Sequence, residues 1–167
     1  FTRQPAILLP IAVWAMAASS APAAGPVDLQ TNDRANPLGI DDPAPHLSWR
    51  IDDPSPGAHQ TAFWIQAACS AEALAHGRDL AWDSGRIASS GTQHIPYTGR
   101  TLESRQRVYW RVRTWDGKGE PSDWSKPAWF ETAFLNEGDW RSATWIGAIR
   151  DREAPDLAPQ DVMGDWI

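Results

Sequence analysis

At 167 residues the chain has room for one domain of about 100 residues with flanks, but not for a second complete one. A net charge of -6 without any Lys/Arg block leaves nothing to neutralise a phosphate backbone, which argues against nucleic-acid binding. Cys69, the only cysteine, excludes an intrachain disulfide and a thiolate metal cage. Eleven Trp within a 42% apolar chain can build a core, while 14 Pro and 12 Gly cut the chain into short elements, so an all-β fold is expected and long helices are not.

Residues 1–24 read as a signal peptide. Arg3 gives a positive start, Ala6 to Ala18 is apolar and uncharged, and Ala21-Pro22-Ala23 offers a small-x-small exit. That run is well short of the roughly 20 residues a bilayer span needs, so cleavage and export are expected rather than a permanent anchor. Loss of Arg3 would take the net charge from -6 to -7. Phe1 in place of an initiator Met reads as a clipped start.

A sandwich is expected over residues 25–135. Val27 to Leu29 is a short strand candidate, followed by Asn36-Pro37-Leu38-Gly39-Ile40-Asp41-Asp42-Pro43, a loop whose Pro and Gly forbid regular pairing. His46 to Ile51 alternates, with Leu47, Trp49 and Ile51 on one face, and stops at the turn cluster from Asp52 to Gly57. Thr61 to Ala68 puts Phe63, Ile65 and Ala67 inward and Trp64 outward. Cys69 reads as a small buried apolar residue on a strand. Ser70 as N-cap, Glu72 in the first turn and Gly77 at C′ mark a helix of a turn or two. Leu80 to Arg86 and Gln93 to Tyr97 are edge strands, since Pro96 has no N–H to give a ladder. Gly99 to Gln106 is a polar crossing with Leu102 as its core plug.

Arg107 to Asp116 carries a strict period of two. Val108, Trp110, Val112 and Thr114 point one way, and Tyr109, Arg111, Arg113 and Trp115 point the other. This predicts a central strand of an antiparallel sheet, buried on one face and wet on the other. Residues 116–127 read as a long turn, and Ala128 to Phe134 as the last strand, beside the central one. About seven strands with turn signals every 8 to 12 residues and no Cys pair predict a fibronectin type III-like antiparallel β-sandwich. Residues 136–167 change character and read as the truncated start of a second β-domain.

Several motifs in this order carry a resemblance: Asn36-Pro37-Leu38-Gly39-Ile40, Leu47-Ser48-Trp49-Arg50, Gln60-Thr61-Ala62, Trp82-Asp83-Ser84-Gly85, Tyr97-x-Gly99-x-x-Leu102, Tyr109 to Asp116, Trp124-Ser125 and Trp140 to Gly147. Over about residues 32 to 147 the chain resembles the N-terminal region of bacterial α-L-rhamnosidases of glycoside hydrolase family 78. The resemblance implies a fibronectin type III-like domain followed by further β-domains and an (α/α)6 barrel. By the same resemblance, that barrel holds the acid and base that remove terminal α-L-rhamnosyl groups with inversion. The barrel has no counterpart in this sequence, so no catalytic, cofactor-binding or metal residue is expected in it. The implied partners are downstream domains of the same polypeptide and, for the parent enzyme, a rhamnose-containing glycoside. The expected location is periplasmic or extracellular, with no membrane span after cleavage. The alternative is a free-standing fibronectin-type binding or adhesion module, which should repeat its strand pattern after Phe134; no such repeat is seen.

Candidate sites each have a plainer account. Asp41-Asp42 and Asp52-Asp53 are adjacent on turns and cannot face each other across a glycosidic bond, which needs about 5 to 9.5 Å. His46, His59, His76 and His94 lack metal-ligand spacing and are given surface or loop roles. The Trp residues could stack on sugars, yet their alternation with polar residues favours core and interdomain packing. Arg111 and Arg113 would repel on one strand face unless compensated, and Trp124 is their natural partner, resembling the Trp/Arg ladder of cytokine-receptor fibronectin modules. Salt bridges to Glu131 or Asp116 are the alternative.

Overall fold

Period-two alternation sorts each strand's side chains between a core face and an outer face, and the strands pair into two antiparallel sheets. In the computed structural model, which describes residues 25–142 and 144, these strands are β1 Pro26–Thr31, β2 His46–Ile51, β3 Ala62–Ala68, β4 Leu80–Asp83, β5 Ile87–Ala88, β6 Ile95–Pro96, β7 Arg107–Trp115 and β8 Ala128–Glu131. One sheet has the order β1-β2-β6, the other β4-β3-β7-β8, with β5 also on β3. β7 is central: it pairs with β3 from Ala62↔Trp115 to Ala68↔Tyr109 and with β8 on its other side. β4 turns back onto β3. In an immunoglobulin constant domain the fourth strand joins the opposite sheet, so this is the fibronectin-like variant of the immunoglobulin-like sandwich.

The core lies where the predicted inward faces meet. Leu47, Ile65, Val108, Trp110, Val112 and Phe130 are fully buried, and Trp49 stacks edge-on to Phe63 at 5.3 Å between the two sheets. Each such side chain contributes about 1.5 to 3 kcal/mol on burial. Ile51 packs against this cluster only partly buried, and Leu102 plugs it as expected. Tyr97 lies edge-on to Trp82 at 5.2 Å, and burial pushes its phenol up to about 12. Gly99 is required beside them, because a Cβ there would sit 2.5 Å from the Tyr97 hydroxyl.

Among the described residues one short α-helix, α1 Ala71–His76, interrupts the strands. Ser70 Oγ accepts from Ala73 N at 3.1 Å, and Gly77 closes the helix at φ 61°, as its sequence predicts.

The structure departs from the sequence reading in several places. Cys69 is exposed, not buried: the register of β3 shifts at Ala67/Ala68, both of which are buried, and the next residue turns outward toward α1. Its sulfur accepts from Gln106 Nε2 at 3.1 Å. β1 is longer than Val27–Leu29 and is broken by a bulge where Asp28 adopts φ 52°. The segment from Leu80 to Arg86 leaves the ladder after Asp83.

The last strand ends at Glu131 rather than Phe134, because the Asn36–Pro43 loop, expected to be unpaired, takes over its edge. Ile40 N donates to Glu131 O, Glu131 N to Pro37 O, and Ala133 N to Ile40 O. That cover hides a strand edge which would otherwise invite another chain.

The long turn is also more ordered than its composition predicts. Ser122 N and Ser125 N donate to Thr114 O and Val112 O, while Ser122 Oγ and Ser125 Oγ accept from Thr114 N and Val112 N at 3.1 Å. Serine hydroxyls here do the work of a strand's carbonyls.

The chain divides into two compact units between Leu135 and Asn136. In the second, Glu137–Trp140 form a 3-10 turn, with Asn136 N donating to Asp139 Oδ2. The signal peptide read at 1–24 falls outside the described residues, as do 143 and 145–167 of the second β-domain read at 136–167, whose described start is this 3-10 turn and not a strand.

Candidate functional site

Beyond the exposed Arg107, the outward side chains of β7 are half-buried rather than wet, because aromatic and cationic groups from neighbouring segments lie across them. The Arg107 guanidinium sits 4.4 Å from the ring centre of Trp129 on β8 and donates to Glu131 at 2.8 Å. Trp124, pinned by the flanking hydroxyls of Ser122 and Ser125, is contacted by Arg111 at 4.5 Å and Arg113 at 4.9 Å. Its ring also meets Trp64 edge-on at 5.6 Å. Arg86 covers Trp115 at 4.8 Å. The result is a ladder of alternating guanidinium and indole groups along the outer face of the five-stranded sheet.

A hydrogen-bonded chain fixes the register of this ladder. Arg111 Nε and Nη2 donate to Gln66 Oε1 at 3.2 and 2.8 Å, Gln66 Nε2 donates to Asp83 Oδ2 at 3.1 Å, and Trp64 Nε1 donates to Asp83 Oδ1 at 2.5 Å. Burial pushes the Asp83 carboxyl up, but the bonds from Gly85 N, Trp64 and Gln66 outweigh it and hold the group below the usual carboxylate range. Burial, and then the charge of Arg113, lower the Arg111 pKa. The salt bridge to Glu131 expected as an alternative exists, but Arg107 makes it. Asp116 instead accepts from Lys118 N and Glu120 N within its own turn.

The other predicted candidates fall into loop roles. Asp42 Oδ1 accepts from Ala44 N at 2.8 Å and Asp53 Oδ1 from Ser55 N at 2.8 Å, while Asp52 pairs with Arg50. The structure does bring His46 and His94 together, ring centres 6.0 Å apart, with Asp33 3.4 Å from His94 Nε2. Their separation in the chain gave no hint of this. Even so, no group of three or more His, Cys, Asp or Glu among the described residues could hold a metal ion. His59 and His76 lie in the 57–59 turn and the last turn of α1.

Of the tryptophans, Trp49, Trp82 and Trp110 are in the core, whereas Trp64, Trp115, Trp124 and Trp129 build the ladder. Trp140, in the second unit, is 60% exposed. A shallow cleft of about 450 Å³ on the three-stranded sheet is lined by Gln30, Ser48, Arg50, His59 and Gln93, and its one aromatic, Trp49, is turned into the core. Gln60, which the sequence offers only as part of a motif and with no role, is 3% exposed. It accepts from Trp49 Nε1 at 3.0 Å and donates to Gly91 O at 2.6 Å.

A family model described as "Rha78A-like, N-terminal immunoglobulin domain" matches residues 26–136. The chain is 43% identical over 122 residues to an alpha-L-rhamnosidase of Streptomyces avermitilis, covering 72% of this chain and 12% of that protein. With an alpha-L-rhamnosidase of Formosa agariphila it shares 39% identity over 126 residues, covering 75% and 13%. Among solved structures, the alpha-L-rhamnosidase from Dictyoglumus thermophilum superposes with a TM-score of 0.70 at 33% identity, covering 74% of this chain and 14% of that one. The chain thus spans about an eighth of the length of the curated relatives it matches.

Proposed function

The chain belongs to the Rha78A-like N-terminal immunoglobulin domain family, and from that premise we propose that it is the non-catalytic N-terminal module of an exported α-L-rhamnosidase of glycoside hydrolase family 78. The observation that carries the reading is the mismatch in coverage: the similarity takes in most of this chain and only 12% to 13% of each rhamnosidase. That mismatch favours a part of a larger enzyme over a free-standing adhesion module. The sandwich braces the domains that follow, and those domains hold the acid and base that release terminal α-L-rhamnosyl groups with inversion.

The test compares residues 25–167 with the full-length protein on an aryl α-L-rhamnoside. The full-length protein should release the aryl group and the fragment should not; release by the fragment above background would overturn the assignment. Export rests on the apolar run from Ala6 to Ala18 with its Ala-Pro-Ala exit. Intact-mass spectrometry of the protein made from its native start codon should find residues 1–24 removed, and an uncleaved cytosolic product would contradict export.

A further inference from the structure

The outer face of the five-stranded sheet is a cationic stripe on an acidic chain of net charge -6. Four guanidinium groups lie along it: Arg86, Arg107, Arg111 and Arg113. Glu131 answers Arg107, while Arg111 leans on a neutral amide, Gln66 Oε1. Asp83 spends its two oxygens on Trp64, Gln66 and Gly85 N. Arg86 and Arg113 have ring contacts but no ion pair among the described residues. Positive charge therefore exceeds negative along this line of the surface, four guanidinium groups standing against the carboxylates of Glu131 and Asp83.

We propose that this stripe binds an acidic polysaccharide, one whose carboxylates repeat along its chain. Arg111 and Arg113, two residues apart on one strand, are spaced by about 7 Å. Together with Arg86 and Arg107 they form a row of cations, which suits a linear polyanion better than a single ion. A guanidinium takes a carboxylate through two parallel N–H bonds, and its flat faces remain on the indoles that position it. The guanidinium groups already occupy indole faces that a neutral sugar would stack on, so recognition is led by charge. Choosing a glycan over an acidic peptide rests on the reading of the chain as part of a glycosidase; the charge pattern does not rest on it.

Native-gel affinity electrophoresis of the 167-residue chain decides the matter, with polygalacturonate, neutral dextran or poly-L-glutamate cast into the gel. Polygalacturonate should retard the protein and dextran should not, and the retardation should weaken with added salt. Arg86→Gln and Arg113→Gln should each weaken binding about two- to fivefold, as expected for exposed ion pairs. Arg50→Gln, on the other sheet, should leave it unchanged. Arg86 is exposed, so its variant decides the outcome if Arg113→Gln fails to fold. The proposal is overturned if polygalacturonate gives no retardation, if dextran retards equally, if only poly-L-glutamate retards, or if Arg50→Gln weakens binding as much as the stripe variants. Failure here with an active full-length rhamnosidase leaves the functional reading intact, and an inactive parent with clear retardation does the reverse.

Discussion

Trp110 and Arg111 are neighbours in the chain, and the period of two sends one into the core and the other onto the ladder. Trp110 is fully buried, and truncating it to Ala should leave a cavity costing on the order of 3 to 5 kcal/mol. Arg111→Ala removes a ring contact of about 1 kcal/mol and releases Gln66 from its amide link. Urea melts of the two variants should therefore rank Trp110→Ala as far the more damaging; the reverse order would mean that the strand faces are inverted. Alternation of residue types places Trp110 and Arg111 without tertiary information. It does not reveal that the outward face is half-covered, because Trp124 comes from the segment beyond the next turn.

At the scale of elements, the ladder depends on a carboxylate. Asp83, at the end of β4, ties Trp64 and Gln66 of β3 to the strand pair beneath Arg111. Its pKa is held below the usual value in the folded protein, so its stabilisation is fully present above the unfolded pKa of about 3.9 and is lost as pH falls through the lower folded value. Acid titration of stability below about pH 4 should accordingly be shallower in Asp83→Asn than in the unsubstituted chain. Equal slopes would show that the carboxylate contributes nothing to the acid limb. Two further elements show why composition misreads loops. Asn36 to Ile40 looks like a breaker and is one locally, yet it supplies backbone groups to the free edge of β8. Ser122 and Ser125 look like turn residues, and their hydroxyls complete the edge of β7.

At the scale of the molecule, two sheets enclose one continuous core, and the similarity to rhamnosidases spans that same stretch. Residues 25–135 should thus fold alone, with a single cooperative urea transition followed identically by Trp fluorescence and far-UV circular dichroism. Separated transitions would mean that the sandwich needs the residues after Leu135.

Local patterning determined the main strands, the helix caps, the inward set from Leu47 to Thr114 and the all-β class, because side-chain alternation and turn chemistry act within a few residues. Pairing of the Arg/Trp ladder was legible only through Trp124, whose contact with Arg111 and Arg113 follows from the need to offset two like charges. Tertiary structure decided the rest: the edge cover by residues 37–40, the convergence of His46 with His94, the exposure of Cys69 and the Gln60 bridge. Each depends on groups brought together across the two sheets or on a one-residue register shift, and such contacts leave no periodic trace along the chain.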